Sequence, residues 1–214
     1  VCVMPLPYSL RYEGLASAFS ELGNGAATFN VAFMNGSLRR IKALIKGRYD
    51  CVLLSRLAAE AYIAEGKPIK IAMYYGAASF LEGHVLLYRT ENIAAIKTLG
   101  VDHQSSDQLI LARQFLKQHP HIRLLDMPYV HIIKRVEEGF VDATLWNLDF
   151  VREHQPPHLK TADFVRSNEE EAMTEAVLVV RQKDAATADF LNRHLQAEKV
   201  LPMLKAVLAG ERIP

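Results

Sequence analysis

Twice in this chain a helix-like run stops at a glycine, an aspartate follows three residues on, and an apolar strand climbs away: LIKGRYDCVLLS at residues 44–55 and VEEGFVDATLWN at 136–147. In each copy the glycine can take positive φ and end the helix, two residues cross over, and the aspartate opens a buried strand. Each strand runs out at polar or ring-bearing residues, Ser55-Arg56 in one copy and Trp146-Asn147 in the other. Helix–glycine–turn–strand is common in α/β proteins. The placement of one copy in the first third and the other in the third quarter points further, to two α/β lobes. Because open α/β sheets bind ligands at the carboxyl ends of their parallel strands, two such ends describe a cleft.

The rest of the chain fits strands alternating with helices, and hence parallel, doubly wound sheets. VCVMPLP reads as a strand, and YEGLASAFSELG as a helix with Leu15, Ala18, Phe19 and Leu22 on one face and Gly23 as its stop. NVAFM is a second strand, Asn35-Gly36-Ser37 a cap, and Leu38, Ile41, Leu44 and Ile45 the apolar face of a second helix that ends at Gly47. After CVLLS come the helix RLAAEAYIAEG, the strands KIAMYYG and EGHVLLYR, and a short helix over IAAIKTLG. VDHQSSDQ is a loop feeding a long helix, with Ser105, Ser106 or Asp107 as its N-cap. IRLLDMP is a strand, YVHIIKRVEEG a helix ending at Gly139, DATLWN a strand, HQPPHLKTADF a turn-rich crossing and EAVLVVR a strand. Pro202 is expected to break or kink the terminal helices.

Composition narrows the function classes. Of 214 residues half are hydrophobic, enough for a substantial core, and 25 basic residues against 24 acidic give a net charge of +1. That balance offers no electrostatic footprint for nucleic acid or an anionic membrane. The two cysteines, Cys2 and Cys51, each sit in an apolar strand, which favours buried thiols and a reducing cytoplasm. No apolar stretch is long enough to span a membrane, and no leader-like run opens the chain. The start at Val1, directly in a strand, reads as a piece of a longer protein.

LRRIKALIKGRYDCVLLS is similar to the helix–G-x-x-D–strand element of type 2 periplasmic-binding-protein folds, including effector domains of LysR-type regulators and many solute receptors. VMPLPYSLRYEGLASAF and FMNGSLRRIKALIKGRYDCVLLSRLAAE resemble the C-terminal domain of YhfZ-type bacterial transcription regulators, in which a helix-turn-helix precedes such a domain. The resemblance covers essentially the whole chain, with its specific part in the first sixty-odd residues. It implies an α/β, two-lobed ligand-binding module, lobe I from residues 1–82 plus 175–214 and lobe II from 83–174, each a mostly parallel sheet flanked by helices. GHVLLYR and EAVLVVR are then the two crossing hinge strands. It also implies a homodimer that reaches DNA only through a missing N-terminal domain.

Five loops carry the candidate ligand residues. LPYSLRYEG offers Tyr8, Ser9, Arg11 and Tyr12, rings and a guanidinium able to stack on or pair with an anion, or simply solvated turn residues. MNGSLRR offers Asn35, Gly36 and Ser37 at a helix N-terminus, an anion site or an ordinary cap, with Arg39 and Arg40 on the solvent face. Ser55 ends a strand at a position that donates to ligand in the resembled fold. DHQSSDQ, at 102–108, holds more polar side chains than one cap requires, and Gln104, Ser105 and Ser106 are its leading donors. Trp146 and Asn147 close the second echo, the tryptophan as ligand platform or core.

Nothing in the sequence asks for catalysis. Eight histidines show no H-x-x-x-H or HExxH pairing, GxSxG, GxxxxGK[ST] and GxGxxG are absent, and GNGAA at 23–27 has the wrong spacing for a nucleotide loop. The leading expectation is therefore a cytoplasmic, non-catalytic effector domain binding a small polar or anionic metabolite, without cofactor, metal or membrane contact. A transport receptor, or an enzyme using the same cleft through His103 or Asp107, is the alternative.

Overall fold

The computed structural model describes residues 1–24, 29–163 and 168–214, so the GNGAA run lies largely outside the described residues. In chain order the elements are β1 (Cys2–Met4), α1 (Leu10–Asn24), β2 (Val31–Phe33), α2 (Ser37–Ile45), β3 (Cys51–Ser55), α3 (Arg56–Ala64), β4 (Ile69–Tyr74) and β5 (His84–Tyr88). They continue with β6 (Thr98–Val101), α4 (Ser106–Gln118), β7 (Arg123–Asp126), α5 (Ile132–Glu137), β8 (Ala143–Asn147), α6 (Leu148–His154) and β9 (Lys160–Asp163). The last are α7 (Asn168–Thr174), β10 (Ala176–Arg181), α8 (Ala185–His194) and α9 (Ala197–Leu208).

The chain divides into two compact units: unit 1, Val1–Glu82 with Ser167–Pro214, and unit 2, Gly83–Arg166. Unit 1 holds a five-stranded sheet in the order β2-β1-β3-β10-β4, with β1 parallel to β2 and β3, and β10 antiparallel to both its neighbours. Unit 2 repeats the plan as β7-β6-β8-β5-β9, with β6 parallel to β7 and β8, and β5 antiparallel to both its neighbours. Each sheet is thus mostly parallel with one reversed strand. GHVLLYR and EAVLVVR supply those reversed strands, β5 and β10. Helix α7 packs with α3 of unit 1.

Both faces of the unit 1 sheet are buried, which explains its uninterrupted apolar strands. Cys51 and Leu53 face a core with Leu15, Phe19, Leu191 and Leu204, while Val52 and Leu54 face Ile41, Leu44, Ala58 and Tyr62. In unit 2, Val85, Leu87 and Trp146 pack on Ile132 and Val136.

The repeated G-x-x-D acts as a corner clamp. Gly47 (φ 72°) and Gly139 (φ 80°) end α2 and α5, and the next residue in each copy closes the helix, Arg48 N–H donating to Ala43 and Phe140 N–H to Arg135. Asp142 Oδ2 then accepts from Lys97 N, Thr98 N and Thr98 Oγ1, each at 2.9 Å, tying the start of β8 to that of β6. Asp50 does the same for β3 and β1, accepting from the nitrogen of Val1 while its own N–H donates to Val1 O at 3.0 Å.

Four local expectations change. IAAIKTLG is not a helix beyond one 3-10 turn at Ile93–Ala95; the pull of Asp142 on Lys97 and Thr98 draws the rest into β6. HQPPHLKTADF contains β9, which completes the sheet edge beside β5. α9 runs through Pro202 without a break, and the chain turns earlier, at Leu195–Gln196. Arg40 is buried rather than solvent-facing, its guanidinium donating to Met34 O at 2.8 Å.

Candidate functional site

In unit 1 the loops after β1, β2 and β3 leave the sheet at its carboxyl end, and side chains lace them together. Tyr8 Oη donates to Asn35 Oδ1 at 2.7 Å, joining the first loop to the second. Ser37 Oγ and Tyr62 Oη lie 2.9 Å apart and are buried, joining α2 to α3. Ser55 closes β3 and caps α3, its Oγ accepting from Ala58 N at 3.1 Å.

Several roles differ from expectation. The N-cap of α2 is Gly36, at φ 81°, with no side-chain cap bond; Asn35 and Ser37 spend their oxygens on Tyr8 and Tyr62 instead. Arg11 is buried and donates to Ala78 O at 2.5 Å, so it staples a loop of its own unit. Ala78 sits at φ 59°, and that staple helps hold an unfavourable backbone. Tyr12 packs on Phe80 with ring centroids 5.3 Å apart and belongs to the core. Ser9 is buried, and its Oγ has no hydrogen-bond partner among the described residues.

In unit 2 the carboxyl end is built around Asp102 and Gln108, both buried. Asp102 Oδ1 accepts from Gln104 N at 2.7 Å and its Oδ2 from Tyr129 N at 3.1 Å, so one carboxylate shapes two loops. Gln108 Oε1 accepts from Asp102 N at 2.9 Å, and Nε2 donates to Leu145 O at 3.3 Å. Ser105 caps α4 through Gln108 N, and Ser106 is the helix's first residue. His103 and Asp126 bridge the ends of β6 and β7, Nδ1 to Oδ1 at 2.6 Å. That side-chain hydrogen bond holds the Asp126 carboxyl below its ordinary range.

Asn147 ends β8 as Ser55 ends β3, capping α6 through Asp149 N at 2.8 Å. Trp146, 4% exposed, is stacked on Tyr129 at 4.2 Å and meets Phe150 edge-on at 6.0 Å. Opposite Asn147 across the sheet stands His84, whose enclosed Nδ1 has no partner among the described residues. Burial pulls the His84 imidazole down to about 4, against a smaller upward pull from Asp149.

The structure therefore gathers Tyr8, Ser9, Asn35, Gly36, Ser37 and Ser55 at one strand end, and Gln104, Ser105, Ser106, Trp146 and Asn147 at the other. Sequence reasoning missed Tyr62, Tyr129 and His84, and quoted Gln108 within DHQSSDQ without naming it among the leading donors. Only His84, a lone imidazole opening an apolar strand, carried a readable signal. Among the described residues no group of three or more His, Cys, Asp or Glu is placed to hold a metal, and no helix is long and apolar enough to cross a membrane. A groove of about 860 Å³ runs along α1 and the edge of β2, past Glu13, Ser17 and Phe33, and none of the expected site residues line it.

The chain is 32% identical over 214 residues to the Escherichia coli K12 protein described as uncharacterized protein YhfZ, covering all of this chain and 70% of that one. It matches the crystal structure of YhfZ from Shigella flexneri at a TM-score of 0.82 and 31% identity, over 100% of this chain and 91% of that one. A Salmonella typhimurium periplasmic binding protein described as having high arginine specificity shares the fold, at a TM-score of 0.70 and 13% identity over 98% and 96% of the two chains. The family described as the YhfZ C-terminal domain matches residues 1–214, and the chain belongs to it.

Proposed function

We propose that this chain is the non-catalytic, small-molecule-binding effector domain of a bacterial transcription regulator, working in the cytoplasm as a homodimer and reaching DNA through a separate domain. The observation that carries the ligand-binding part is the gathering of polar side chains and helix starts at the carboxyl end of each sheet, the customary ligand end of such sheets. The regulator part is supported by the resemblance to regulator C-terminal domains. Fold neighbours described as binding arginine support a polar or charged ligand of metabolite size.

The first test is a thermal-shift screen of metabolites against the purified chain, followed by calorimetry. A true ligand at a hundred times its Kd stabilises the protein by about 2.7 kcal/mol. Replacing Gln104 or Ser106 with Ala is expected to weaken it by roughly tenfold. In a gene product that carries the DNA-binding domain, the same ligand is expected to change operator affinity by roughly 5- to 150-fold. A screen in which no metabolite shifts the melting temperature would sink the reading.

Two rivals rest on specific observations. The likeness to periplasmic binding proteins favours a solute receptor, which the residues preceding Val1 in the gene decide: a leader or lipid-anchor cysteine against a helix-turn-helix. The short His103–Asp126 pair favours an enzyme, which turnover of a screened metabolite, lost in His103→Ala, would support.

A further inference from the structure

We propose that the outer edge of β2 and the groove beside it form a self-association surface, in which β2 pairs antiparallel with β2 of a second copy across a twofold axis at Ala32. This rests on the homodimer part of the reading above. β2 ends the sheet order β2-β1-β3-β10-β4, so one side of it is covered by no described strand. Its ladder with β1 sets Val31, Ala32 and Phe33 against Cys2, Val3 and Met4, with Cys2 N–H donating to Asn30 O at 2.8 Å and Met34 N–H to Met4 O at 2.9 Å. Backbone groups alternate along such a ladder, so Ala32 faces β1 while the N–H and C=O of Val31 and Phe33 point outward. Neither a charged side chain nor a proline, two usual defences of an open strand, blunts that edge.

A second copy fits this surface better than a foreign peptide because the surface is complementary to itself. Set antiparallel about Ala32, Val31 of each strand lies opposite Phe33 of the other, and each such pair exchanges two N–H···O bonds. Every outward group then has a partner. The side chains of Val31 and Phe33 share the α1 face of the sheet, where Phe33 is 43% exposed and Ile213 beside them 89% exposed. Across the groove, α1 presents the small residues Ala16, Ser17 and Ser20, which leave room for a partner's ring. Charge agrees with the pairing. Glu21, towards the end of α1, is already paired with Arg212, while Glu13 lines the groove at the start of that helix. An antiparallel copy turns Glu13 towards the partner's Arg212 and not towards a second Glu13.

Sedimentation velocity of the 214-residue chain over a dilution series reads the assembly. A dimer is expected, with a dissociation constant about tenfold higher in Phe33→Lys and in Val31→Pro. The proline removes an outward N–H at the start of an edge strand, where that residue is tolerated. Tyr74→Lys, at an exposed ring on the opposite edge strand β4, is expected to leave the dimer unchanged. Ala32 meets its own counterpart across the axis at about 4.5 Å between Cα atoms, within disulfide reach. Ala32→Cys is therefore expected to give a covalent dimer with oxidised glutathione, and Val31→Cys, whose counterpart is Phe33, is not. If the edge variants do not fold, the Ala32→Cys crosslink decides. A dimer that keeps its affinity in both edge variants, or that Ala32→Cys does not crosslink, overturns the β2 interface and leaves the homodimer reading standing. A chain that stays monomeric at every concentration overturns both, and leaves the edge to an extended segment of another protein.

Discussion

Asp142 holds three hydrogen atoms of the β6 start with one oxygen, and its own N–H donates to Thr98 Oγ1 at 3.0 Å. Asp142→Ala leaves two backbone donors to find water, and is expected to cost about 2 kcal/mol in urea unfolding. Asp50→Ala breaks fewer bonds and should cost less; equal losses would remove the clamp as the reason for the aspartate. His84 makes stability depend on pH. The folded protein keeps the imidazole neutral to about 4, whereas the unfolded chain protonates it near its ordinary value of 6.5, so the unfolded state binds more protons between those values. Stability is full above 6.5, is lost as pH falls towards 4, and levels off below, by up to about 3 kcal/mol. His84→Asn is expected to flatten that slope, and a slope unchanged in the variant would place its origin elsewhere. The aspartates were legible because they recur at one spacing after a glycine. Arg11 and Arg40 were not, since a guanidinium in a turn looks solvated until the carbonyls of Ala78 and Met34 are brought to it.

At the scale of elements, glycine and proline punctuate with unequal force. Gly47 has open space where a Cβ would go, whereas a Cβ on Gly139 would meet the Arg89 guanidinium. Gly47→Ala is therefore expected to cost about 1 kcal/mol for the left-handed backbone alone, and Gly139→Ala more, because Arg89 must also move. Chemical denaturation of the two variants checks the order. Pro202 lies inside α9 on an exposed side and lacks the N–H that its turn requires, so Pro202→Ala is expected to raise stability by about 1–3 kcal/mol. A destabilised variant would show that the ring is packing there. Proline was read as a helix break because local propensity says so; α9 survives because Val200, Leu204 and Val207 are buried on either side of it. IAAIKTLG misled in the opposite direction, since its helical spacing is overridden by the β6–β8 pairing at Leu99 and Gly100.

At the scale of the whole molecule, the two cysteines are buried side by side in the unit 1 sheet. Cys2 and Cys51 are register partners on β1 and β3, both buried, and the Cys51 thiol together with burial pushes the Cys2 thiol up. Neither is expected to react with a thiol reagent in native buffer, and two thiols per chain should appear on unfolding; prompt labelling of the native protein would contradict that burial. The sequence by itself determined the strand–helix alternation, the two lobes and the matching corners at Gly47 and Gly139, because periodicity, left-handed glycines and apolar runs are written locally. It also placed the loops that carry the polar residues. Only the tertiary structure decided which atoms those residues meet within the fold. Whether Arg11 pairs with a ligand or with Ala78 O, whether Ser37 caps a helix or meets Tyr62, and whether Trp146 Nε1 finds an acceptor all depend on atoms distant in the chain. A hydrogen bond is satisfied in space, and spacing along a sequence does not carry that distance.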